Sequence, residues 1–480
     1  MKSSGAFSGS AAKAMGVAGV IAVMAALLLV PAMINGFPFI FYDTGTYLRA
    51  AVTLTVPEDR PIYYSVFARA LHWHASAWPI VIVQSLVIAA LILALGHRLF
   101  AVGLFGARPS DRRGVWFYIA LAAALCLGTS LPWFAGLLIP DIFAPALIIA
   151  ILLTGFCWDR LSVAERIALP LGIALCISFH YGNLLLALGG FLVFAVLAAA
   201  GWRPRTRAWP RFAAMAGAIV LGVAALILPN AIAFGQPVMS PGGSSFLLGR
   251  LLDDGSALDT LKDECPVRDW RICAELDGIE AYRLSLIGNP QAGFSPLTNY
   301  YLWLGPLTRL GGFRAHAEEA REIVGETIAR DPLRVAGDAA KNVSRQLFTF
   351  QVGDGIPALP AWDFVFDTLD FVFGSETSAE VRLTLQAKGA WPFERLNILF
   401  DVVLILSLIP LAAALVRGRK YDPPAFYIVL ALVLFLIGNA AATGGLSGVF
   451  DRYQARVIWL MPLFGVLLWR RWGGLMLRAQ

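Results

Sequence analysis

Two carboxylates and one imidazole stand out because each lies beside long uncharged stretches. Asp43 follows a first apolar run by about nine residues, in NGFPFIFYDTGTYLRAA, among aromatic and small turn-forming residues. A carboxylate in a partly desolvated, aromatic-lined place has its pKa raised toward useful basicity, which makes Asp43 a general-base candidate. A solvated loop carboxylate or helix cap is the competing role. Asp141 opens an apolar run after a proline, in LLIPDIFAPALIIA, where helix N-capping competes with chemistry. His180 is the one histidine in a charge-free segment, and a polar ring at membrane depth is either functional or a hydrogen bond between helices. No P-loop, GxSxG or zinc spacing of His and Cys accompanies them.

The elements that must position these groups are membrane helices. The chain is 480 residues long, with 58% hydrophobic and 15% charged residues, too apolar for a surface facing only water. The net charge of +6 resides in short arginine-rich loops rather than in a nucleic-acid-binding patch, so no nucleic-acid partner is expected. Ten spans are expected, near 15–34, 78–96, 115–131, 142–158, 164–179, 184–200, 212–233, 396–416, 424–443 and 454–470. Positive residues flank alternate loops, which places both termini in the cytoplasm. The first run lacks a small-x-small cleavage site and reads as a retained helix. Between Arg166 and Arg203 no residue is charged, and one continuous helix would reach about 55 Å, beyond any bilayer. The break is expected at FHYGN, 179–183, which puts His180 and Tyr181 in a protein-lined cavity.

The predicted fold is therefore all-α: an N-terminal bundle over 1–233, a large helical segment over 234–395 outside the cytoplasm, and C-terminal spans over 396–480. The first outer loop, 35–77, carries an amphipathic helix beginning near Asp59 and Pro61, with Ile62, Val66, Phe67, Ala70 and Leu71 apolar and Arg69 and His72 opposite. Cys126, Cys157 and Cys176 lie in apolar runs and read as core residues. Cys265 and Cys273, in polar DECPVRDWRIC, are expected to form a disulfide if that segment faces an oxidising compartment.

This layout resembles the GT-C superfamily of integral membrane glycosyltransferases, which use polyprenyl-phosphate sugars at the outer face. The matching residues are Asp43, Tyr47, Arg60 and Pro61 in the first outer loop, Asp141 at the outer end of a later span, and Arg452 and Tyr453 in DRYQAR before the last helix. The resemblance implies that Asp43 deprotonates an acceptor hydroxyl. Tyr47, Arg60, Asp141, His180, Tyr181, Arg452 and Tyr453 then bind substrate, the two guanidiniums gripping the lipid phosphate. A divalent cation, magnesium or manganese, is an optional cofactor, with Asp43 and Asp141 as its ligands if one binds. There is no DxD or Asp-Glu pair at Asp43, and a lone carboxylate is a poor divalent-cation site.

The expected partners are the lipid bilayer, a polyprenyl-phosphate sugar donor and an envelope glycan or lipid acceptor, in a bacterial inner membrane with the large segment periplasmic. A polymerase or ligase of lipid-linked glycans, a transporter or flippase, and a non-catalytic envelope assembly protein are the alternatives.

Overall fold

A computed structural model describes residues 4–105, 111–203, 209–289, 295–356 and 363–479. Among them every regular element is helical, and the single extended pairing is an isolated bridge between Phe39 and Leu137. Six helices are long and apolar enough to cross a membrane: Trp78–Leu99, Pro140–Arg160, Tyr181–Ala199, Trp209–Phe234, Phe393–Tyr421 and Pro423–Gly444. The Ala14–Leu28 and Arg113–Gly128 stretches are apolar but shorter.

Local sequence sets the helix limits. Ser162 and Glu165 form a reciprocal capping box at the start of Val163–Phe179. That helix ends where His180, in extended conformation, breaks the charge-free segment and starts Tyr181–Ala199. Asp422 caps Pro423–Gly444 and Asp331 caps Pro332–Leu347, each with proline in the first turn, where a missing N–H costs nothing.

The Phe143–Cys157 helix is the bundle's axis and is buried almost throughout, against Val163–Phe179 on one side and Tyr181–Ala199 on another. The Phe393–Tyr421 helix is its opposite, turning Ile398, Val402, Ile405 and Ile409 outward, as a helix facing lipid does. A second apolar core lies apart from the bundle, gathering Leu248, Leu258, Trp270, Ile279, Tyr301 and Ile323 from the 243–335 region. Residues 363–381 instead join the bundle core, the Asp363–Phe373 helix lying along Tyr42–Thr53.

The amphipathic helix of the first loop spans Tyr63–His72, four residues beyond Asp59. Its buried face is Tyr64, Ser65, Ala68 and His72, while Val66 turns outward. The expected opposition of apolar and polar faces is thus rotated: small and polar groups pack on protein, and part of the apolar face is left for the surroundings.

A candidate active site around Asp43

The backbone that carries Asp43 is held from three directions. Phe39 pairs with the 136–138 strand-like stretch, through Phe39 N–H to Gly136 C=O at 2.8 Å and Leu138 N–H to Phe39 C=O at 2.9 Å. The Gln386 side chain clamps both backbone groups of Ile40, accepting from its N–H at 3.1 Å and donating to its C=O at 2.7 Å. Thr44 then accepts from Phe41 N–H at 2.9 Å and closes the first turn of Tyr42–Thr53. Asp43 therefore projects from the N-terminal turn of a helix, where partial positive charge favours a carboxylate.

Two arginines converge on it. Arg60 Nη1 lies 2.9 Å from Asp43 Oδ1 and Arg452 Nη1 lies 3.5 Å from Oδ2. Arg60 is itself steadied by Asp59, through Nε to Oδ2 at 2.9 Å, and lies over the Tyr47 ring at 5.1 Å. Arg452 is stacked over Phe41 at 4.3 Å and over Tyr453 at 5.1 Å. The Asp43 side chain stays 24% exposed and that of Arg452 17%, so a ligand can reach these two, while Arg60 lies buried behind the carboxylate.

The electrostatics correct one expectation. Burial does push Asp43 upward, but Arg60 and Arg452 outweigh it and hold the carboxyl below its ordinary value. The aromatic lining and both guanidiniums were named from the sequence; that the two pair with the carboxylate itself was not. Asp43 is thus ionised and weakly basic until something draws the arginines away.

Beneath this open cluster lies a closed one. Arg456 donates through Nη1 to Asp141 Oδ1 at 2.9 Å and through Nη2 to Asn439 Oδ1 at 3.3 Å. Asn439 also donates to Gln454 Oε1 at 2.8 Å and to the Tyr453 carbonyl at 2.7 Å. Asp141 lies in the turn ahead of Phe143–Cys157 without capping it, so neither a free carboxylate nor an N-cap describes it. His180 accepts from Gly182 N–H through Nδ1 at 3.0 Å, a helix-capping bond, while Arg456, Asp141, Arg452 and Asp43 all act on its ring electrostatically. Tyr181 points elsewhere, to Asn230 and Ser240.

The structure thus gathers Asp43, Tyr47, Arg60, Arg452 and Tyr453 at one place, puts Asp141 and His180 just below, and leaves Tyr181 aside. Arg456 was missed, although its spacing of four from Arg452 on the Asp451–Ile458 helix marks a shared face. A divalent cation does not fit this donor set. Each acid is committed to arginine, and among the described residues no three His, Cys, Asp or Glu side chains converge as metal ligands. Cys265 and Cys273 are joined in a disulfide, and Cys126, Cys157 and Cys176 are free and buried. No family profile, characterised protein or solved structure matches this chain.

Proposed function

We propose that this chain is a membrane glycosyltransferase that moves a sugar from a polyprenyl-phosphate donor to an envelope glycan or lipid. The observation that carries the reading is the ligand-accessible Asp43 carboxylate held between the guanidiniums of Arg60 and Arg452. In the reaction, the acceptor hydroxyl proton passes to Asp43 as the acceptor oxygen bonds to the sugar's anomeric carbon. The bond from that carbon to the phosphate oxygen breaks with its electron pair, and the polyprenyl phosphate leaves carrying the negative charge. Guanidinium groups bind phosphate oxygens bidentately, so Arg60 and Arg452 suit that leaving group. As they turn toward phosphate, burial dominates at Asp43 and its basicity rises when a base is needed.

The reading places about ten spans in a bacterial inner membrane, both termini in the cytoplasm and the 234–395 segment outside. Arginines grouped in alternate loops support that orientation, and a disulfide within the segment suits an oxidising compartment. The test is mass spectrometry of lipid-linked intermediates and envelope glycans in a deletion strain complemented with wild type or Asp43→Asn at matched membrane levels. Loss of one sugar with build-up of its polyprenyl-phosphate donor in the Asn strain is expected. Full restoration of every glycan by that variant would overturn the reading and favour transport or assembly.

A further inference from the structure

A groove of about 400 Å³ lies beside the Asp43 site, lined by Gln351, Asp354, Phe393, Glu394, Asp401 and Asp451 among others, with no lysine or arginine in its walls among the described residues. It adjoins Asp43 through one residue. Arg452 turns its guanidinium toward Asp43 while its backbone N–H donates to Asp354 Oδ2 at 3.3 Å. The loop between them is fitted tightly: Gly355 has φ +69°, and a Cβ there would meet Phe41 at 1.7 Å.

At Val352, Asn397 and Asp401 the groove meets a cleft of only about 20 Å³, room for one water-sized group, between Phe400, Leu404, Ile458 and Pro462. Asp401 is two turns inside Phe393–Tyr421, one of the six apolar spanning helices. A carboxylate at that depth persists where it faces a water-filled or ligand-filled cavity rather than lipid. Neither Asp401 nor Glu394 has a hydrogen-bond or ion-pair partner among the described residues.

Resting on the glycosyltransferase reading, we infer that this groove is the acceptor subsite and takes a glycolipid with an uncharged, hydroxyl-rich head, its tail lying along the outward apolar face of Phe393–Tyr421 formed by Ile398, Val402 and Ile405. Carboxylates spread along a wall accept hydrogen bonds from sugar hydroxyls, and the Phe393 ring offers an apolar face. The same carboxylates repel an anionic head group. Charge therefore sorts the two substrates across Arg452, the anionic donor to the arginines and the neutral acceptor to the acids.

The test uses the full-length protein in phosphatidylcholine nanodiscs and monoglucosyl diacylglycerol with a diazirine in one acyl chain, against the same chain on a phosphatidylglycerol head. Cross-linked peptides are mapped by mass spectrometry. The glucosyl probe is expected to label the peptide that carries Ile398, Val402 and Ile405, and Glu394→Gln with Asp401→Asn to lower that labelling roughly tenfold, as loss of hydrogen bonds to charged groups does. Equal or stronger labelling by the anionic probe, or no effect of the paired substitution, overturns the inference. The wild-type comparison of head groups needs no variant to fold. Labelling requires no turnover, so a failed groove with Asp43-dependent transfer intact sinks only the inference, and intact labelling with Asp43-independent transfer sinks only the catalytic assignment.

Discussion

Asp141 and Arg456 form a 2.9 Å ion pair whose side chains are 3% and 1% exposed, while one turn earlier on the same helix Arg452 meets an Asp43 that stays 24% exposed. The Tyr453 ring lies between the two guanidiniums, 5.1 Å from Arg452 and 5.5 Å from Arg456. The closed pair fixes the helix and its aromatic spacer; the open pair is left to exchange partners. A buried pair of this kind is costly to break, because removing one member strands the other's charge.

Arg456→Met and Asp141→Asn are each expected to destabilise the protein by about 3–5 kcal/mol, read as reduced melting temperature and membrane yield. The double substitution should cost clearly less than the sum, since neither charge is then left alone. Simple additivity in detergent-purified protein would show that the pair does not act as a unit.

How much of this could be read from the chain varies with range. The break at His180 was legible because a 36-residue charge-free run is too long for one span, and Asp43 because aromatic and turn residues surround it. The Asp141–Arg456 bond was not, since its partners are 315 residues apart and neither segment carries a mark of the other. In DRYQAR the resemblance singled out Arg452, and only packing shows that Arg456 turns inward to Asp141. The groove beside Asp43 likewise exists only where residues 351–354, the start of Phe393–Tyr421 and Asp451 converge.

Asp43 gives a pH prediction with a definite sign. Its folded pKa lies below the ordinary 3.8, so the ion pair's contribution is complete above pH 3.8 and disappears as pH falls through the folded value. If Asp43 is the base of the proposed transfer, the acidic limb of kcat/KM should therefore lie below about pH 4. In Arg60→Met burial remains while the larger opposing charge is gone, and the limb should move upward. An unshifted limb would mean that Arg60 does not set the ionisation of Asp43.

The disulfide closes a short loop over Trp270, with a sequence separation of 8. Cys265→Ser with Cys273→Ser should lower the stability of the 243–335 core by about 2–3 kcal/mol on the loop-entropy scale. In intact cells both thiols should resist a membrane-impermeant maleimide until a reductant is added, and then become labelled. Labelling without reductant would place free thiols there and remove the support for an oxidising compartment.

His316 is wholly buried in that same core, and neither ring nitrogen has a hydrogen-bond partner among the described residues. Burial lowers its pKa; Glu319, with Oε1 at 3.5 Å, pulls it back up and Arg271 pushes it down, leaving it below 6.5. The unfolded chain therefore takes up a proton first as pH falls. Stability from the neutral ring is complete above pH 6.5 and erodes as pH drops from 6.5 toward the folded value. Melting temperatures should fall between pH 7 and 5 by more in wild type than in His316→Leu. At pH 7.5 that substitution breaks no hydrogen bond and keeps an apolar side chain, so its cost should stay below about 1.5 kcal/mol. Parallel pH profiles for the two proteins would mean that the fold leaves the pKa of His316 unshifted, and a smaller fall in wild type would mean that the ring is protonated in the fold and paired with Glu319.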